Sequence, residues 1–135
     1  MKNVFLELPY IMKKNVTLLL CCTLIASAAC NKEGVGGKAD IIGVVKRQGT
    51  PIPNAVVYIK YGATDFPGFN TSEYNDYVTA ASTDASFKFE NLYKGDYYLW
   101  ARGFDNSISQ DVSGGITVQI KKKKETVETN IPVKE

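Results

Sequence analysis

The 135-residue chain contains no histidine, a single tryptophan and only three cysteines. Without histidine it has neither the Ser-His-Asp and Cys-His pairs of common hydrolases nor an imidazole zinc site. No two acidic residues stand in a recognisable glycosidase context, and so small a domain offers little cleft. We therefore expect no enzymatic activity and no cofactor. Hydrophobic residues make up 44% of the chain, enough for one core without disulfides.

The first 29 residues have the pattern of a secretory signal peptide. From Met12 the chain reads Met-Lys-Lys-Asn, followed by an apolar run over residues 16–29. A short basic segment before such a run is typical of an export signal, and the run is too short to span a bilayer as a mature helix. We expect residues 1–29 to be removed and translation to start at Met12.

Cys30 directly follows this signal. Residues 27–30, Ser-Ala-Ala-Cys, resemble the lipobox of bacterial lipoproteins, in which the cysteine is lipidated and becomes the mature N-terminus. The next three residues, Asn-Lys-Glu, resemble the export signal of surface lipoproteins in the Bacteroidetes group. The resemblance implies a lipid on Cys30 and a place in the outer membrane, periplasmic or surface-exposed. The alternative is ordinary cleavage after Ala29, which gives a soluble periplasmic protein.

The mature chain, from residue 30 onward, carries no net charge. Residues 1–29 hold three basic side chains and one acidic side chain, so thirteen of each sign remain. A neutral chain is not expected to bind nucleic acid through its bulk charge. Residues 30–38 are rich in glycine, which predicts a flexible tether between the lipid and a domain over residues 39–135.

Residues 39–135 have the pattern of one all-β domain. Short runs rich in β-branched and aromatic residues alternate with turn-forming clusters, and none has a sustained helical period. We predict seven strands, over residues 40–46, 55–61, 77–83, 87–91, 96–102, 116–121 and 125–132. Alternation places six side chains on inner faces: Ala55, Val57, Ile59, Tyr97, Leu99 and Ala101. Short strands at this spacing favour a β-sandwich or a small barrel.

Four motifs follow one another between residues 41 and 101. They are Ile41-x-Gly43-x-Val45, then Gly49-Thr50-Pro51-Ile52-Pro53-Asn54-Ala55-x-Val57-x-Ile59, then Thr83-Asp84 with Phe87-x-Phe89-x-Asn91-Leu92, and Gly95-x-Tyr97-x-Leu99-x-Ala101. In this order they resemble the carboxypeptidase regulatory-like, or transthyretin-like, domain. The resemblance implies a seven-stranded Greek-key β-sandwich of the prealbumin type, used as an accessory module. It implies no catalytic residue, because the family has no shared catalytic set.

The longest connection inside the domain, residues 62–76, is a candidate binding loop. It contains Phe66, Phe69 and Tyr74, and Tyr77 follows it, among acidic and amide side chains. Aromatic rings with such neighbours can stack on and hydrogen-bond sugars or peptides, and long loops on rigid scaffolds often carry function. The alternative is that Phe66 and Phe69 pack beneath the loop as a small apolar cluster.

An outer sheet face is the second candidate site. Tyr98 and Trp100 alternate with the inner residues of their strand, and Tyr58 joins them if its strand is a neighbour. An exposed aromatic row favours a partner surface or a glycan platform. The alternative is a set of ordinary cross-strand pairs that shield the sheet.

Two charged groups have weaker functional interpretations. Asp105, Asn106 and Asp111, with Asp84 as an optional fourth member, offer the oxygen ligands that calcium prefers. Their spacing matches no calcium loop and such residues are common in turns, so we expect no metal. The basic run over residues 121–124 either meets lipid phosphates at a membrane or forms a solvated hairpin turn.

These patterns together predict a non-enzymatic, lipid-anchored outer-membrane protein. Its β-sandwich would serve as an accessory protein-interaction module with a protein partner in the cell envelope. The competing hypothesis is a module that binds a glycan or a peptide through residues 62–77 or through the face of Tyr98 and Trp100. A third is a structural envelope protein whose edge strands self-associate.

Overall fold

The computed structural model describes residues 31–135, which form nine β-strands and one 3₁₀ turn. The strands are β1 Val35–Arg47, β2 Thr50–Pro51, β3 Val56–Tyr61, β4 Asp76–Thr79, β5 Ser86–Leu92, β6 Gly95–Asp105, β7 Gln110–Ile120, β8 Thr126–Glu128 and β9 Ile131–Pro132, and the turn spans Thr71–Glu73. The predicted signal peptide, the start at Met12 and the lipid site at Cys30 lie outside the described residues. Within residues 31–135, no helix is long and apolar enough to cross a membrane.

The strands form two sheets packed face to face. In the first sheet, β1 pairs antiparallel with β5 and β2 and parallel with β8 and β9. The second sheet is antiparallel throughout, in the order β4-β3-β6-β7. A backbone bridge between Ser113 and Lys134 joins the edge of β7 to the chain beyond β9. The expected all-β sandwich is therefore confirmed.

The core lies between the sheets and follows from the alternation of each strand. Ile41 and Val45 of β1 face the second sheet, and both are fully buried. All six side chains predicted to point inward are also fully buried: Ala55, Val57, Ile59, Tyr97, Leu99 and Ala101. Burial of apolar side chains at every second position fixes the register of each strand, because a slip by one residue would expose the whole set.

All seven predicted strands occur, with different lengths. Strands β1, β6 and β7 extend further than predicted, and the last predicted strand is divided into β8 and β9. The two-residue strand β2 was not predicted. It pairs Thr50 and Pro51 with Arg47 and Lys46, so it is a hairpin return rather than a full strand.

The segment predicted as a flexible tether is part of the domain from Glu33 onward, which corrects the predicted boundary at Lys38. Strand β1 begins at Val35. The backbone N–H of Gly34 donates to the hydroxyl of Tyr97 at 3.0 Å, and its carbonyl accepts from the N–H of Tyr93 at 2.8 Å. Glycine composition alone predicted mobility, but here the absent Cβ permits close packing: a Cβ on Gly37 would overlap the backbone of Leu92.

Candidate functional site

All seven candidate aromatic residues form one cluster on the outer face of the second sheet. Tyr58 of β3 and Trp100 of β6 are direct cross-strand partners, and their rings stack with centroids 5.4 Å apart. Tyr98 lies on the same face of β6. A Cβ on Gly115 of β7 would overlap the hydroxyl of Tyr98, so this glycine leaves room for the ring. The predicted neighbourhood of Tyr58 and Trp100 is thus present.

The loop of residues 62–75 lies across this face. Its first end is held by the N–H of Gly62, which donates to the carbonyl of Asp96 at 2.8 Å. Its second end is held by Asn75, whose N–H donates to Ile59 and whose side-chain oxygen accepts from the N–H of Tyr61. Both ends are therefore fastened to the sheet, and the two predicted sites are one site.

Trp100 is the centre of the cluster. The ring of Tyr74 stacks on it at 5.6 Å, and the rings of Phe69 and Phe66 lie at 5.9 and 6.1 Å. Only 4% of Trp100 is exposed, and 9% of Tyr74. The row of Tyr58, Tyr98 and Trp100 is therefore not an open platform, because the loop covers its tryptophan.

The outer rings of the cluster face the solvent. Phe69 is 73% exposed, Tyr77 62% and Phe66 42%. Phe66 and Phe69 pack edge to face at 5.0 Å, and Tyr77 contacts Tyr58 at 5.9 Å. The alternative in which both phenylalanines pack beneath the loop is wrong: Tyr74 fills that position, and its hydroxyl donates to the carbonyl of Gly68 at 2.9 Å.

Two phenols of the site, those of Tyr74 and Tyr98, resist ionisation. Burial, and to a lesser degree the neighbouring Tyr98, raises the pKa of Tyr74 to about 12. Burial also raises the pKa of Tyr98. Both hydroxyls are thus neutral at physiological pH and can act as hydrogen-bond donors, but they are not suited to act as bases.

A half-open cleft of about 300 Å³ adjoins the cluster beside Phe69 and Trp100. Its walls carry both signs of charge, from Arg102 and Lys134 and from Asp111 and Glu135. Neither Arg102 nor Lys134 was predicted as a site residue. Lys134 reaches the cleft through the bridge between its backbone and that of Ser113. The sequence contains no local signal for that approach.

The acidic residues considered for calcium do not form a common site. Asp105 is buried and bonded to Arg47 Nε at 2.5 Å and to the hydroxyl of Ser107 at 2.6 Å. These hydrogen bonds, from Ser107 first and then from Arg47, lower the pKa of Asp105 to about 2. Asp111 lines the cleft instead. Among residues 31–135, no three acidic, cysteine or histidine side chains are grouped so that they could hold a metal ion.

A scan of the sequence against protein-family models finds no match, and a search among curated proteins finds no similar protein.

Proposed function

We propose that the mature chain is a non-enzymatic lipoprotein of the outer membrane whose β-sandwich binds a protein of the cell envelope through the exposed rings of the aromatic cluster. The observation that carries the proposal is the exposure of Phe69, Tyr77 and Phe66 around a buried Trp100. Rings already held in place lose little conformational freedom on binding, and exposed aromatic residues dominate the energetics of many interfaces.

The exposed chemistry favours a protein partner over a glycan. Glycan recognition needs an open ring face beside hydrogen-bonding groups, and a tryptophan or tyrosine usually supplies both. Here the only tryptophan is covered, and two of the three exposed rings are phenylalanines, which have no polar tip. An apolar anchor of this kind fits a pocket on another protein, from which it would displace water.

The lipid anchor is supported by the sequence alone, and the family by the sequence together with the two-sheet architecture. Residues 27–30 resemble a lipobox, and the four motifs between residues 41 and 101 resemble the carboxypeptidase regulatory-like domain. The two-sheet architecture agrees with that family's sandwich. An accessory module anchored in the membrane by a lipid on Cys30 would bind a partner within the cell envelope.

A glycan or peptide ligand is the second candidate, favoured by the cleft beside Phe69. Trp100 and Phe69 line the cleft together with two charged residues, Arg102 and Asp111. Such a mixture of apolar and charged groups suits a short peptide or an oligosaccharide end. Titration of oligosaccharides against the chain and its Arg102→Ala variant would reveal this ligand.

The test is site-specific photocrosslinking in intact cells. A photoreactive phenylalanine analogue replaces Phe69 in one strain and Lys88 in another. Lys88 is the control, because its side chain is 49% exposed and it lies on β5 in the opposite sheet, away from the aromatic cluster. We expect a single defined protein adduct from position 69 and none from position 88. The same adduct from both positions, or no protein adduct from either, would refute the protein-binding site.

A further inference from the structure

The N-terminal segment is fastened at one end of the sandwich, which we call the anchor end. The carboxylate of Glu33 accepts from the N–H of Asp96 at 3.4 Å, and its side chain occupies the space where Gly95 has no Cβ. Gly34 is bonded to Tyr93 and Tyr97. Glu33 is only three residues beyond Cys30, and three extended residues span at most about 11 Å. A lipid on Cys30 would therefore hold this end of the domain close to the bilayer.

The same end carries most of the lysines. Gly95, which contacts Glu33, pairs with Ile120 at the end of β7, and the basic run of residues 121–124 follows directly. Lys94 immediately precedes Gly95, and Lys38 lies in the irregular part of β1 that adjoins Leu92. Seven lysines thus surround the N-terminal segment, and all are exposed: Lys32, Lys38, Lys94, Lys121, Lys122, Lys123 and Lys124.

This end is positively charged although the mature chain is neutral. Among residues 31–40, 91–96 and 121–125, the seven lysines face four carboxylates, those of Glu33, Asp40, Asp96 and Glu125, which leaves a net charge of +3. The remainder of the mature chain therefore carries −3. None of the seven lysines forms a salt bridge with another residue in the described part of the chain.

The basic loop has a defined shape. The carboxylate of Glu125 accepts hydrogen bonds from the N–H groups of Lys121 and Lys122 at 2.9 and 3.1 Å. The Glu125 carboxylate thus stabilises the turn through backbone N–H groups and forms no salt bridge with the lysine side chains of the loop. The N–H of Asp40 donates to the carbonyl of Glu125 at 2.8 Å and ties the loop to β1. The loop is held in place while its ammonium groups remain in solvent.

We propose that the anchor end is a membrane-contact surface, on which the seven lysines engage the phosphates of an anionic lipid bilayer. The inference rests on the proposed lipid at Cys30, which would hold this end beside the headgroups, whose electrostatic field extends about one Debye length, roughly 8 Å, into the solvent. Exposed lysines near an anionic surface each strengthen membrane association.

The test measures vesicle binding by the chain from Lys32 to Glu135, which forms a compact unit and contains every core residue. Binding is compared between vesicles of phosphatidylcholine alone and vesicles that also contain phosphatidylglycerol, at low salt. One variant combines Lys122→Gln with Lys123→Gln. The matched control combines Lys46→Gln with Lys134→Gln, which removes the same charge from the far end of the sandwich.

We expect binding only to the anionic vesicles, reduced about tenfold or more by the loop variant and less than threefold by the control. High salt should abolish it. Equal losses in both variants, equal binding to both vesicles, or displacement by inorganic phosphate at matched ionic strength would overturn the proposal. Because this chain lacks Cys30, failure here does not bear on lipidation, and failure of lipidation in cells does not alter the vesicle result.

Discussion

The hydroxyl of Tyr97 forms hydrogen bonds that hold the N-terminal segment, residues 33–38, against the sandwich. Removing this hydroxyl therefore tests whether that segment belongs to the domain. The hydroxyl accepts from the N–H of Gly34 at 3.0 Å and donates to the carbonyl of Tyr93 at 2.6 Å. Tyr97 and Gly34 are both buried, so water does not readily replace the lost partner. We predict that Tyr97→Phe, which keeps the ring, leaves a buried donor and an acceptor unsatisfied.

The expected cost follows from these two groups. A buried polar group left without a partner costs about 1–3 kcal/mol. The hydrogen bond from the N–H of Tyr93 to the carbonyl of Gly34 remains in this variant, and the backbone around it can shift slightly. We therefore expect Tyr97→Phe to lower the free energy of unfolding by about 2 kcal/mol, less than the full cost of two unsatisfied groups. For a domain of this size that corresponds to a fall in Tm of about 8 °C. The segment should also open locally, with faster hydrogen exchange at Gly34.

Tyr61→Phe is the matched control. The ring of Tyr61 packs edge to face on Tyr97 at 5.8 Å, and its hydroxyl forms no hydrogen bond with another described residue. Urea unfolding of the chain from Lys32 to Glu135 measures both variants. The reasoning is refuted if the two lose the same stability, or if exchange at Gly34 is already fast in the parent protein.

Two further predictions concern the far end of the sandwich and the anchor. Because the pKa of Asp105 is lowered to about 2, its ionised form stabilises the fold above about pH 4, and this contribution is lost as the pH falls toward 2. Asp105→Asn should therefore be less stable than the parent at neutral pH and lose less stability on acidification; urea unfolding curves that fall in parallel would contradict this. Cys30→Ala should move the protein from the membrane to the soluble fraction of cells, and continued membrane retention would count against the lipid.

The strands were predictable because their signal is local. Alternation at Val57 and Ile59, or at Leu99 and Ala101, is present in the sequence within a few residues, and burial of one face forces that register. The limits of β1 were less predictable, because its first residues contain two glycines that indicate flexibility in isolation. Their order depends on Tyr93 and Tyr97, about sixty residues away in the chain.

The aromatic site was predictable in its members and not in its arrangement. Each ring belongs to a stretch that alternation or loop length makes noticeable, so all seven were candidates. Whether the loop folds over Trp100 or away from it depends on the contacts of Gly62 with Asp96 and of Asn75 with Ile59, which join distant parts of the chain. Burial of the tryptophan, which favours a protein partner over a glycan, was therefore invisible in the sequence.

Strand β6 contributes residues to both proposed sites and separates them along its length. Its first residues, Gly95 to Tyr97, hold the N-terminal segment, and its outer face carries Trp100 farther along. Five residues of extended strand span about 17 Å, which is about twice the Debye length at physiological salt. Phe69 lies beyond Trp100, beside Gly103 and Val112. A bilayer at the anchor end would thus leave Phe69 free, so that membrane contact orients this ring toward a partner without competing for it.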